Sequence, residues 1–207
     1  MQTLTRTTDS HQVISRWNAA FAPPARPQHV ELPWLAHHGQ RVARIAQQTA
    51  LELGMPSALA ARVALAGVLH DVGKFEIPDA VLEKPGPLTS QERALMEVHP
   101  VTGAELLRGA ALADVRAMVL GHHERVDGSG YPFGLAGDEI PIGGRILAVA
   151  DAFDAMITDR PYRAAMSRSD ACLELWQGIG SQFDGDVVDA FMATPESGSI
   201  GLRAAAA

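Results

Sequence analysis

The chain has 207 residues, 47% of them apolar and 20% charged, a composition that suits one globular domain and excludes a disordered chain. Its 24 Asp and Glu outweigh 17 Lys and Arg, leaving a formal charge of −7; this argues against duplex nucleic acid as the main partner, because phosphate backbones attract net Lys and Arg. The single cysteine, Cys172, excludes an internal disulfide and any cysteine-rich zinc finger, and no uncharged apolar run approaches the roughly 18 residues of a membrane helix.

Residues 1–30 turn from polar to Pro-rich (Pro23, Pro24, Pro27) and read as an arm and linker. No apolar stretch there has the form of a signal peptide, so the expected location is the cytoplasm. From Glu31 the pattern is helical: Leu35, Val42, Ile45, Thr49 and Leu53 share a face, and Gly54 with Pro56 ends the helix. Leu59, Val63, Ala66 and His70 carry the same period into a second helix. Thr89, with Glu92 three residues on, predicts a capping box for a helix running toward His99. Pro100 suits the first turn of the next helix, which ends near Gly109. The segment 114–123 reads as a short helix, apolar on one side. The stretch 127–144 holds six glycines with Pro132 and Pro141, a length that marks a functional loop. Helix returns over 145–158, from a Ser167 or Ser169 cap to about Gly178, and over 186–193. Residues 196–207 are small and low in complexity and read as a disordered tail. Neither strand alternation nor an internal repeat is visible. The predicted fold is all-α, a single multi-helix bundle over 31–195.

Placement makes the eight histidines informative. His70 shares the face of Val63 and Ala66, so its ring points inward, and the adjacent Asp71 cannot be buried unpaired. His38 sits in the first helix of the bundle; His99, the pair His122-His123 and Asp151 lie at or near helix ends or on otherwise apolar helices. One inward histidine is usually an ordinary hydrogen-bonded core residue. Five histidines and two aspartates on separate helices are a different matter, because bundle interiors are where di-metal sites are built from facing helices. A carboxylate beside a histidine can bridge two cations while the histidine holds one. The donors are nitrogen and oxygen without thiolate, which favours Fe, Mn, Zn, Co or Ni over a structural zinc or Mg. His37 reads as surface, His11 and His29 as solvated, and Cys172 as core packing. Glu124 and Asp127 read as loop hydrogen bonding and support for the neighbouring histidines.

The segment His70-Asp71-Val72-Gly73-Lys74 resembles the HD signature of the HD phosphohydrolases. The eleven residues from His122 to Pro132, His-His-Glu-Arg-Val-Asp-Gly-Ser-Gly-Tyr-Pro, resemble the second signature of the HD-GYP subfamily. His99-Pro100 between them, the Ala-Asp-Ala-Phe-Asp-Ala segment holding Asp151, and Asp159-Arg160-Pro161-Tyr162-Arg163 match as well, so the resemblance runs from about Glu31 to Ala193. It implies a bacterial signalling protein, an HD-type bundle with a buried di-metal site, and hydrolysis of cyclic di-GMP to linear pGpG or GMP. The metals implied are commonly iron or manganese. His38, chosen over His37 by the spacing to Arg41-Val42, would bind the first ion with His70 and Asp151; Asp71 would bridge; His99, His122 and His123 would hold the second. Lys74 matches a phosphate-contacting lysine, Arg160 and Arg163 match positions that approach the ligand phosphates, and Gly130, Tyr131 and Pro132 would line the substrate.

Two cations lower the pKa of a bridging water, so that hydroxide is available near neutral pH. Asp71 and Lys74 would carry the chemistry, with Lys74 and Arg160 neutralising developing charge. Two alternatives stay open: hydrolysis of another nucleotide such as 3′,3′-cyclic GMP-AMP, and a non-catalytic adaptor that binds a signalling protein through its Gly-Tyr-Pro loop. Where similar proteins hold three metals, a glutamate lies one turn before the first-helix histidine. Trp34 occupies that place here, and an indole offers only an N–H donor, so two metals are expected.

Overall fold

Helix α1 (Pro33–Glu52) and helix α2 (Ser57–Leu69) make the most extensive helix pair of the fold. They meet through small residues: a Cβ on Gly67 would lie 2.7 Å from the Cα of Ala43, so the two backbones approach closely enough to bring His38 and His70 together. Short helices α3 (Asp79–Leu82), α4 (Ser90–Met96) and α5 (His99–Leu106) follow, then α6 (Ala113–Gly121), α7 (Ile142–Ile157), α8 (Arg168–Gln177) and α9 (Gly185–Ala193). The computed structural model describes residues 33–159 and 164–198. Among these there is no strand, only two isolated bridges, and no helix is long and apolar enough to cross a membrane. The predicted arm over 1–30 and the end of the predicted tail lie outside the described residues.

One core joins the long helices. It takes Val42, Ile45, Ala46 and Ala50 from α1, Ala60, Val63 and Ala66 from α2, and Val115 and Val119 from α6; Ile146, Leu147, Ala150 and Phe153 of α7 meet Leu175 of α8 and Val187, Val188 and Phe191 of α9. The rings of Phe153 and Phe191 lie 4.6 Å apart. Helix α7 crosses α1, α2 and α6, and α5 packs on α6 and on the 3-10 turn Val72–Glu76. The predicted helices are present, and the Thr89–Glu92 capping box forms in both directions.

Three expectations are corrected. Leu59 is 47% exposed; the buried face of α2 runs through Ala60, Val63, Gly67 and His70, whose spacings of three and four leave Leu59 on the solvent side. Helix α7 begins at Ile142, not Arg145, because Gly143 and Gly144 are helical residues at a close crossing: a Cβ on Gly144 would lie 3.2 Å from the Gly121 backbone, and one on Gly143 would strike the Met118 side chain. Glu196 and Ser197, placed by sequence in the tail, are buried in a 3-10 turn, where Arg44 pairs with Glu196 and Ser197 Oγ donates to Met192 O at 2.9 Å.

Candidate metal centre

The bundle gathers five histidines and two aspartates from five helices and one 3-10 turn. His38 comes from the first part of α1. His70 caps the C-terminus of α2, and Asp71 opens the 3-10 turn that follows. His99 is the first residue of α5, His122 caps α6 with His123 next to it, and Asp151 lies on α7. That 3-10 turn reaches α5 only because Gly73 has no side chain: a Cβ there would collide with the carbonyl oxygen of His99. His38, His70, Asp71, His99 and His122 are buried, while His123 and Asp151 are half-buried.

The donor atoms form two groups, each within 4.8 Å: His38, His70 and Asp151 in one, and Asp71, His99, His122 and His123 in the other. Asp71 stands between them. Its Oδ2 lies 3.3 Å from His70 Nε2 and its Oδ1 lies 3.3 Å from His99 Nε2. On the other flank, His38 Nε2 lies 3.1 Å from Asp151 Oδ1. Neighbouring imidazole centroids are 5.2 Å apart for His38–His70, 5.1 Å for His70–His122 and 5.2 Å for His99–His122.

Hydrogen bonds on the outer ring nitrogens decide which atoms face inward. Nδ1 of His70 donates to Gly67 O at 2.7 Å, that of His99 to Met96 O at 2.8 Å, and that of His122 to Val119 O at 2.6 Å. A carbonyl only accepts, so each Nδ1 carries its proton and each Nε2 turns toward the cluster. His99 Nε2 and His122 Nε2 then face one another at 3.2 Å with a lone pair on each. His70 Nε2 and Asp71 Oδ1 are buried without a hydrogen-bond partner. Buried polar atoms are nearly always paired, and facing lone pairs repel unless a cation lies between them. The donor set therefore fits metal cations held by nitrogen and oxygen.

The electrostatics point the same way. Burial alone would lower the His38 pKa, but its bonds to Asp151 and Asp154 outweigh burial and raise it to about 9. His70 is raised against the same burial penalty by Asp71. Burial pushes Asp71 and Asp151 upward, yet His70 and Lys74 hold Asp71, and His38 and His70 hold Asp151, well below the usual carboxylate range. His122 is driven far down by burial and then by His123, and His123 is lowered to about 3 by burial and then by His99. The aspartate side demands positive charge, and the His122–His123 side offers neutral nitrogen ligands to receive it.

Behind the donors stand residues that the sequence reading left without a role. Asp154, one turn beyond Asp151, accepts from His38 Nδ1 at 2.7 Å and from Arg41 Nε and Nη2 at 2.6 and 2.9 Å. A helical offset of three places Asp154 beside Asp151 and Arg41 beside His38, and that offset was the signal available. Glu124, buried, accepts from the backbone N–H of Phe133 at 2.7 Å and Leu135 at 3.0 Å, and Asp127 accepts from Ser129, as the loop reading expects. Lys74 Nζ lies 2.7 Å from Asp71 Oδ2, at the rim of the cluster. Gly130 packs on the backbone of Glu124 and Arg125 with no room for a Cβ. The Tyr131–Pro132 peptide is cis, and Tyr131 stacks on His123. His37 is exposed and Cys172 buried, as expected. Arg160 and Arg163 lie outside the described residues, as does the side chain of Trp34.

The HD domain family pattern matches residues 29–187. The chain belongs to the HD domain family. Its His-His to Gly-Tyr-Pro segment places it in the HD-GYP branch. It is 44% identical over 156 residues to the cyclic di-GMP phosphodiesterase response regulator RpfG of Xanthomonas campestris pv. campestris, covering 74% of this chain and 41% of the relative. It is 39% identical over 176 residues to the 3′3′-cGAMP-specific phosphodiesterase 2 of Vibrio cholerae, covering 84% of this chain and 33% of the relative. The HD domain chain thus spans less than half the length of these curated relatives. Among solved structures it shares its fold with Bd1817, an HDG"Y"P protein from Bdellovibrio bacteriovorus (TM-score 0.62, 22% identity, 76% of this chain and 51% of that one). It shares it also with the phosphodiesterase PgpH HD domain of L. monocytogenes in complex with cyclic-di-AMP (TM-score 0.57, 18% identity, 84% of this chain and 94% of that one).

Proposed function

We propose that this HD-GYP domain is a metal-dependent phosphodiesterase that hydrolyses cyclic di-GMP to linear pGpG and, on a second cut, to GMP. The observation that carries the reading is the seven-residue cluster, in which His70 Nε2 and Asp71 Oδ1 are buried without a partner and two imidazole lone pairs face each other at 3.2 Å. His38, His70 and Asp151 would hold one ion, His99, His122 and His123 a second, and Asp71 would bridge. The family resemblance points to iron or manganese, and the same nitrogen and oxygen donors accept Zn, Co and Ni. When bound, such ions supply Lewis acidity that makes hydroxide available near neutral pH and polarises a phosphoryl group.

The protein's own part is positioning and charge. Hydrolysis forms one P–O bond from water and breaks the P–O3′ bond, leaving a 5′-phosphate and a 3′-hydroxyl. Lys74, at the rim beside Asp71, is placed to offset negative charge that builds on the phosphoryl oxygens. Arg160 and Arg163 supply further cations for the two phosphates of a cyclic dinucleotide, with arginine favouring bidentate contact. The relatives named for cyclic di-GMP match at up to 46% identity and those named for 3′3′-cGAMP at 36–40%, which favours cyclic di-GMP and keeps cyclic GMP-AMP as the second substrate to assay.

The test is purified protein loaded anaerobically with Mn or Fe and given cyclic di-GMP, with products separated chromatographically. Metal-dependent formation of pGpG or GMP is expected. Turnover of 3′,3′-cyclic GMP-AMP alone would move the substrate assignment, and nucleotide binding without turnover would make the domain an adaptor.

A further inference from the structure

The five histidines of the centre are not held alike. Four have a partner on Nδ1: a backbone carbonyl for His70, His99 and His122, and Asp154 for His38. The ring of His123 makes no hydrogen bond among the described residues. Rings flank it instead. His122 lies 4.1 Å away, tilted by 42°, and His99 lies 5.0 Å away, edge-on; both belong to the same donor group. On its other side is Tyr131, stacked at 4.8 Å with an interplanar angle of 28°.

Tyr131 is delivered there by a loop that folds back on the histidine pair. Its N–H donates to His123 O at 3.2 Å. Glu124, the residue after His123, is buried and receives the N–H groups of Phe133 and Leu135, two and four residues beyond Tyr131. Gly130 lets the returning segment lie directly on the backbone of Glu124 and Arg125. The tyrosine ring is thus fixed from both sides in sequence, and its face is laid on the one ligand ring that lacks an outer hydrogen bond. An imidazole without such a bond is free to turn about its side-chain torsions, and ligand orientation is what outer contacts normally supply in metal sites.

We propose that Tyr131 is a positioning residue: its stacked ring orients His123 for the second ion, and Glu124 fixes the loop that brings it there. This rests on the two-ion reading above, and it gives the Gly-Tyr-Pro segment a task that needs no substrate.

The test measures bound manganese by equilibrium dialysis and elemental analysis, without nucleotide, for the wild type, Tyr131→Phe and Tyr131→Leu. Wild type and Tyr131→Phe are expected to hold two ions. Tyr131→Leu is expected to hold the first ion as wild type does and the second about 10- to 100-fold more weakly, the usual effect of losing an outer contact. Circular dichroism identifies an unfolded variant; should Tyr131→Leu not fold, Glu124→Gln, which keeps an oxygen for one of the two loop N–H groups and turns an NH2 donor toward the other, is expected to loosen the same ion alone. Two tightly held ions in folded Tyr131→Leu would overturn the proposal, as would equal loss of both ions or a Tyr131→Phe that behaves like leucine. Fewer than two ions on the wild type would instead sink the two-ion reading, and the proposal with it.

Discussion

Asp154 gives the sharpest check on how the first metal group is assembled. Its carboxylate, 1% exposed, joins two side chains of α1: it accepts a hydrogen bond from His38 Nδ1 at 2.7 Å and a two-pronged contact from Arg41 at 2.6 and 2.9 Å. Asp154→Ala removes all three bonds. The Arg41 side chain is 39% exposed, so water replaces most of what it loses, and that part is worth about 0–1 kcal/mol. The His38 bond is buried and charge-assisted, and its loss costs about 1.5–3 kcal/mol. A total of about 1.5–4 kcal/mol lowers Tm by roughly 3–16 °C at about 2–4 °C per kcal/mol for a chain of this size. Freed of its outer partner, His38 should bind its ion about 10- to 100-fold more weakly.

Thermal unfolding with and without manganese, combined with equilibrium dialysis, reads both effects. Asp154→Asn should fall between wild type and Asp154→Ala, because its amide oxygen still accepts from His38 while the charge facing Arg41 is gone. Wild-type metal affinity in Asp154→Ala, together with a Tm within a degree of wild type, would refute the argument that this carboxylate sets the His38 ring.

Two further expectations concern the centre and its scaffold. Asp71→Ala should lose both ions and all turnover, whereas Lys74→Ala should keep the full metal complement and lose about 100-fold or more in turnover; a full complement on Asp71→Ala by elemental analysis would rule out a bridging role. Gly67→Ala should lower stability by about 1–3 kcal/mol, since the new methyl would lie 2.7 Å from Ala43 Cα, and should also weaken metal binding, because Gly67 O holds the His70 ring; unchanged Tm and metal content would mean that the α1–α2 contact yields without cost.

Much of this was legible from the residues. The 3.6-residue period located α1, Thr89 with Glu92 marked the start of α4, and Pro100 the start of α5. The seven residues named from sequence lie close together, His38, His70 and Asp151 in one group and Asp71, His99, His122 and His123 in the other. What escaped depends on contacts that no local pattern encodes. Gly143 and Gly144 have the composition of a loop, and only the crossing with α6 makes them helical. The 3-10 turn Val72–Glu76 is too short to show a period. Glu196 is buried because Arg44, far away in sequence, meets it, and the stacking of Tyr131 on His123 requires knowing that the loop reverses. Asp154 and Arg41 were visible by helical offset, but a charged pair at such spacing reads equally well as a solvated surface contact.

The two donor groups are therefore controlled by different parts of the chain. His38, His70 and Asp151 ride on α1, α2 and α7, the helices that share the main core, and their separations follow from the packing of Val42, Ile45, Val63, Ala66, Leu147 and Ala150. His99, His122 and His123 sit where helices begin or end, and the third of them takes its orientation from a loop. A substitution in the core should act first on one group, and a substitution in the Gly-Tyr-Pro loop on the other. Asp71 is the point where the two meet: it follows the last residue of the α2 face, it opens the turn that Gly73 presses against His99, and its two oxygens point one to each side. The adjacency of His70 and Asp71 thus has a geometric reason. One residue ends the helix and belongs to the core-built group, and the next leaves the helix at the angle needed to reach the other.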